Sequence, residues 1–107
     1  MLRSRTATRT SLTARPAALL AGQRVRLTAT VSCEPDPDGT SLTPSGTVSI
    51  RDGALLLGSV PLHEGRATLE VRLFSVGVHV LEAGFEGEPR FAPSGAGCEL
   101  DVVDGRR

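Results

Sequence analysis

The sequence predicts an all-β sandwich of seven strands, and three observations carry that expectation. Short segments alternate apolar and polar residues at period two. Turn residues punctuate the chain roughly every 8 to 12 residues. Helical periodicity is confined to the brief stretch from Pro16 to Ala21, too short to form a stable helix. At 107 residues the chain suits one domain, placed at residues 5–103. Residues 1–4 are expected to form a disordered arm and residues 104–107 a C-terminal tail. With 39% hydrophobic and 22% charged residues, the composition is that of a globule rather than a disordered or fibrous chain. Only three Phe supply aromatic bulk, so the core must rest on Val, Leu, Ile and Ala.

The first strand is read in Thr6 to Thr13, where β-branched residues recur at every second position. The second runs from Gln23 to Cys33, with Val25, Leu27, Ala29, Val31 and Cys33 inward and Arg24, Arg26, Thr28, Thr30 and Ser32 outward. Two Pro and a Gly between Glu34 and Ser41, then Pro44-Ser45-Gly46, make a long loop. Thr47 to Arg51 and Leu55 to Val60 flank Asp52-Gly53, a short-hairpin signal. After a turn at His63-Glu64-Gly65, Ala67, Leu69, Val71 and Leu73 mark the fifth strand. The sixth opens at Gly77 and puts His79, Leu81, Ala83 and Phe85 on one face. The seventh, from about Gly97, carries Cys98, Leu100 and Val102 inward.

Charge divides the chain sharply. The formal net charge is zero, yet Met1 to Cys33 holds six Arg and no acid, and the remainder holds six Arg against all twelve acids. All twelve cations are Arg, a bias that fits a GC-rich genome and by itself says nothing of bidentate binding. Alternation turns this division into space. Arg9, Arg15, Arg24, Arg26, Arg66 and Arg72 fall on the outer face of one sheet, with Glu70 the lone acid. Glu82, Glu86, Glu99 and Asp101 fall on the outer face of the other, beside Val78, Val80 and Val103. The basic face suits a polyanion such as an acidic glycan or an acidic protein partner. The two faces of neighbouring domains could also pair. Specific nucleic-acid binding is not expected, because neither stacking aromatics nor a recognition helix is present.

Gly22-Gln23, the run Ser45-Gly46-Thr47-Val48-Ser49-Ile50-Arg51-Asp52-Gly53, Leu56-Leu57-Gly58, and Gly77 to Gly87 followed by Phe91-Ala92-Pro93-Ser94 resemble bacterial Ig-like repeat domains. The resemblance spans about residues 5 to 103. It implies a Greek-key, Ig-like β-sandwich acting as a non-catalytic structural or adhesive module of a bacterial surface or secreted assembly. Glu88 stands where the family usually has Asp. The longest apolar stretch near the N-terminus, Ala17 to Ala21, is five residues against about 7 to 15 in a secretory core, so no export signal is read. A standalone intracellular or phage-type accessory domain that binds a protein partner is the alternative, as is a polyanion-binding module.

In an Ig-like topology Cys33 and Cys98 would belong to the same end of the sandwich, in opposite sheets. They are either a disulfide or two buried free thiols acting as small hydrophobes. Cys33, Cys98, His63 and His79 have zinc-ligand chemistry without the close-paired spacings of zinc sites. His79, inward at the start of its strand, is expected to bond backbone with a buried polar tip, and His63 to be solvated in a turn. Glu34, Asp36 and Asp38 before Gly39 have the opening spacing of a calcium loop, but Ser45 occupies the position of its bidentate acid. A looser calcium site would add Glu86 and Glu88. There is no nucleophile elbow, zinc-protease pair, dithiol motif or phosphate-binding glycine loop, so neither catalysis nor a cofactor is expected. No apolar run is long enough to span a bilayer.

Overall fold

A computed structural model of the chain describes residues 5–35, 37–39 and 42–104. The expected disordered arm (1–4) and residues 105–107 of the expected tail lie outside them. Eight strands form two sheets, and no helix occurs among the described residues. The strands are β1 (Thr8–Arg15), β2 (Ala18–Leu20), β3 (Arg24–Cys33), β4 (Thr47–Asp52), β5 (Leu55–Pro61), β6 (Arg66–Arg72), β7 (Gly77–Phe85) and β8 (Ser94–Val103). One sheet has the order β1-β3-β6 and the other β2-β8-β7-β4-β5. Consecutive strands β1 and β2, β2 and β3, β3 and β4, β5 and β6, and β6 and β7 lie in different sheets, so the chain crosses the sandwich five times, in Greek-key fashion.

Period-two patterning sets the register. On β3 the side chains of Val25, Leu27, Ala29 and Val31 are buried while their neighbours face out. Leu12 of β1 lies opposite Ala29, and Ala29 opposite Ala67 of β6, which aligns the inward rows of three strands. From the facing sheet, Val48, Ile50, Leu81, Phe85, Leu100 and Val102 close against them, each at most 1% exposed. Two of the three Phe, Phe85 and Phe91, are in this core. The β4–β5 hairpin turns at Gly53, whose φ of 61° is the left-handed conformation glycine tolerates. A bulge between Ile50 and Arg51 adjusts its register.

The structure has one strand more than the seven expected. The run from Pro16 to Ala21 contains β2, which pairs parallel to β8 through Ala18–Asp101, Leu19–Val102 and Leu20–Val103. Three residues with only Leu19 buried offer no period to read. The chain leaves the first sheet through a cis Arg15–Pro16 peptide and enters the second at Ala18. β8 also begins earlier than expected, at Ser94, because Gly95 and Gly97 erase the alternation there.

These terminal strands define two poles. At one, Thr6 exchanges backbone hydrogen bonds with Arg90 and Ala92, and the Thr8 and Thr10 hydroxyls meet the Ser94 hydroxyl at 2.7 and 2.6 Å. At the other, Ala21 donates to the Val103 carbonyl and Gly22 to that of Leu73. β1 and β2 run in the same direction as β8 between the poles.

Candidate functional site

The outer face of the β1-β3-β6 sheet is a field of arginines and hydroxyls. Cross-strand pairing places Arg15 beside Arg26 and Arg26 beside Glu70, with Arg24 beside Arg72 in the next outward row. Two hydroxyl-rich rows follow, Thr13-Thr28-Thr68 and Ser11-Thr30-Arg66, and Arg9 lies beside Ser32 at the far end. All six arginines expected on this face are exposed. Three of them, Arg15, Arg24 and Arg26, line one hollow with the Glu70 carboxylate, and Arg72 lies beside Arg24 at the same end of the sheet. Arg26 donates to it through Nε and Nη2 at 3.2 and 2.9 Å, Arg24 approaches at 3.8 Å, and Arg72 turns to the Gly22 carbonyl at 2.9 Å. One carboxylate against four guanidinium groups leaves a strong positive excess. At the far end Arg9 pairs with Glu34 at 3.4 Å.

The opposite outer face is acidic and nearly bare. Val78 and Val80, 64% and 52% exposed, face outward from β7 beside Asp101 and Glu99 of β8. Leu20 and Val103 extend this apolar strip. Further along, Gly84, Gly95 and Gly97 expose backbone on two adjacent central strands. They floor a trough of about 490 Å³ flanked by Ser49, Arg51 and Glu82. A Cβ on Gly84 would meet nothing within 4 Å, so no neighbour among the described residues demands a glycine there. Arg51 and Glu82 are direct cross-strand partners, yet no ion pair joins them. Glu86 accepts a hydrogen bond from Ser49 at 2.7 Å. The trough was not anticipated from the sequence; its signal is Gly-x-Gly inside an otherwise alternating strand.

The remaining candidates are not brought together. Cys33 and Cys98 are free and half-buried. Cys33 lies opposite Thr8, and Thr8 bonds Ser94, whereas Cys98 is four residues further along β8, opposite Leu81. Four strand residues are about 13 Å, beyond the roughly 7 Å that a bridge allows between Cα atoms. The thiols therefore do not share one end of the sandwich: alternation correctly predicts their faces but says nothing of their height. Cys33 donates to the Leu42 carbonyl, and burial pushes the Cys98 thiol pKa up.

Glu34 is engaged by Arg9, Glu86 by Ser49 and Glu88 by Ser45 at 2.7 Å, so these carboxylates point to separate partners. Asp38 is exposed, and Asp36 lies outside the described residues. No group of three or more metal-ligating side chains occurs among the described residues. His63 sits exposed in a tight turn beside Glu64. His79, by contrast, has a side chain only 12% exposed, with Nε2 at 2.6 Å from the Ser75 carbonyl and Nδ1 against the Asp52 carboxylate. The Ser75 carbonyl and then Asp52 raise its pKa, against the opposing effect of burial.

In fold, the chain is similar to a CARDB domain from Pyrococcus furiosus solved in complex with di-metal ions, at a TM-score of 0.68 and 13% identity, covering 97% of this chain and 99% of that one. It is also similar to a superoxide reductase (neelaredoxin) from Ignicoccus hospitalis, at a TM-score of 0.61 and 16% identity, covering 86% and 79%. At these identities the likeness is one of fold alone. No curated protein matches the chain. The family model of the bacterial Ig-like domain (group 3) matches residues 12–103, from the centre of β1 to the end of β8. The chain belongs to that family of bacterial Ig-like domains.

Proposed function

We propose that the domain is a load-bearing structural module of a bacterial surface or secreted assembly. The observation that carries this reading is the path of the terminal strands. The chain enters β1 at one pole and leaves β8 at the other, and β2 is hydrogen-bonded parallel to β8. Tension applied at the two ends slides β1 and β2 against β8. The β2–β8 hydrogen bonds and the hydroxyl contacts of Thr8 and Thr10 with Ser94 are then loaded together rather than one by one. Family membership supports the setting, since bacterial Ig-like domains are often extracellular. The two unbridged thiols favour a second reading, an accessory domain kept in a reducing compartment. Labelling intact cells of the source bacterium with a membrane-impermeant carboxyl reagent separates the two, since the chain carries twelve acidic side chains and no lysine. Modification of the protein before lysis is expected; protection until lysis would overturn the surface reading.

A further inference from the structure

We propose that the domain stacks on copies of itself, the arginine face of one copy seated on the acidic, glycine-floored face of the next. This proposal is independent of the load-bearing reading. The charges of the two faces are opposite. Arg15, Arg24, Arg26 and Arg72 share one end of the first sheet's outer face with one carboxylate, Glu70, whereas Glu82, Glu86, Glu99 and Asp101 share the second, among the described residues, with one cation, Arg51. Contact between two like faces would juxtapose four carboxylates with four, or four guanidinium groups with four, so a symmetric dimer is opposed electrostatically and the unlike pairing is favoured.

Side-chain length is complementary too. One face bears long arginines, and the other is lowest where Gly84, Gly95 and Gly97 leave the backbone uncovered. Glycine inside a strand weakens it, and commonly marks a place where another group approaches closely. Among the described residues, nothing lies within 4 Å of a Cβ placed on Gly84. Arginine stems can lie along Val78 and Val80 while their heads reach Glu99 and Asp101.

The contact joins two different surfaces, so it does not close and continues as an open stack. It is also weak. Three strands at about 4.8 Å spacing and some eight residues long present roughly 400 Å² of flat face, half of what a standard interface buries on each partner. Association is therefore expected at high concentration, or where tethering in an assembly raises the effective concentration.

Sedimentation velocity of the 107-residue chain tests this. In low salt the average mass is expected to rise with concentration past that of a dimer, and high salt to return it to monomer. A double variant Arg24→Glu, Arg26→Glu loses one face; a double variant Gly84→Gln, Glu99→Gln loses the other, with Gly84 chosen because its side is open. Each alone is expected to remain monomeric with an unchanged far-UV spectrum. Mixed, they are expected to form a one-to-one pair and stop, since each keeps one working face. A parent chain that stays monomeric in low salt overturns the proposal, whether or not its arginines retain it on a heparin column. A closed dimer indifferent to both double variants also overturns it.

Discussion

The imidazole of His79 is held between two acceptors, the Asp52 carboxylate at 2.5 Å from Nδ1 and the Ser75 carbonyl at 2.6 Å from Nε2. Satisfying both requires a proton on each nitrogen, which is the imidazolium form. The pair ties the start of β7 to the end of β4, beside the Gly53 turn.

Stability is accordingly expected to fall on the alkaline side. The folded-state pKa of His79 lies above the usual 6.5, so the folded state binds a proton more tightly than the unfolded chain. Its contribution is complete below about pH 6.5 and is lost as pH rises through the raised folded value. Urea midpoints followed by far-UV circular dichroism, in a chain without Trp or Tyr, should decline across that interval. His79→Gln should flatten the decline while lowering stability at acid pH.

Ser94→Ala removes the one hydroxyl shared by Thr8 and Thr10 between β1 and β8. The Thr8 hydroxyl keeps the Ala92 carbonyl at 2.8 Å, so the loss falls mainly on the Thr10 side. A cost of about 1 to 2 kcal/mol in chemical denaturation is expected.

Two glycines should respond with opposite sign. Gly84 has open space over its Cβ position and no left-handed φ, so Gly84→Thr is expected to stabilise by up to about 1 kcal/mol through reduced unfolded-state entropy and better strand propensity. Gly46 has a φ of 126°, and a Cβ there would lie 3.0 Å from Glu88 Cγ and 3.1 Å from Phe85 Cε1. Gly46→Ala is expected to cost at least about 1 kcal/mol. Paired thermal melts check both signs.

Both cysteines should alkylate in denaturant without prior reduction, giving a mass increase of two adducts. Under native conditions Cys98 should react slowly, because burial raises its pKa and limits access. Mass spectrometry of timed reactions follows both stages.

Period-two patterning made most of the fold readable. Val25 to Cys33 could be assigned as a half-buried strand because every second residue enters the core, and the same logic placed six arginines on one face. β2 stayed hidden because Ala18–Leu20 is shorter than any useful period, and the start of β8 because Gly95 and Gly97 carry no side chain to alternate. The thiols and the acidic loop show a different limit. Alternation tells which way a side chain points but not how far along the sandwich it lies, so Cys33 and Cys98 share an inward face without meeting. The trough depends on which strands are lateral neighbours, and Gly84 meets Gly95 only through the β7–β8 pairing.

Single-molecule pulling tests the load-bearing function most directly. The domain is stretched once through handles beyond its two poles, and once through handles at Leu56 of β5 and Asp101 of β8, across the five-stranded sheet. Pole-to-pole loading shears β1 and β2 along β8 and is expected to require the larger force, in a single step, with Ser94→Ala lowering it. Equal or lower force in the pole-to-pole geometry would contradict a load-bearing role.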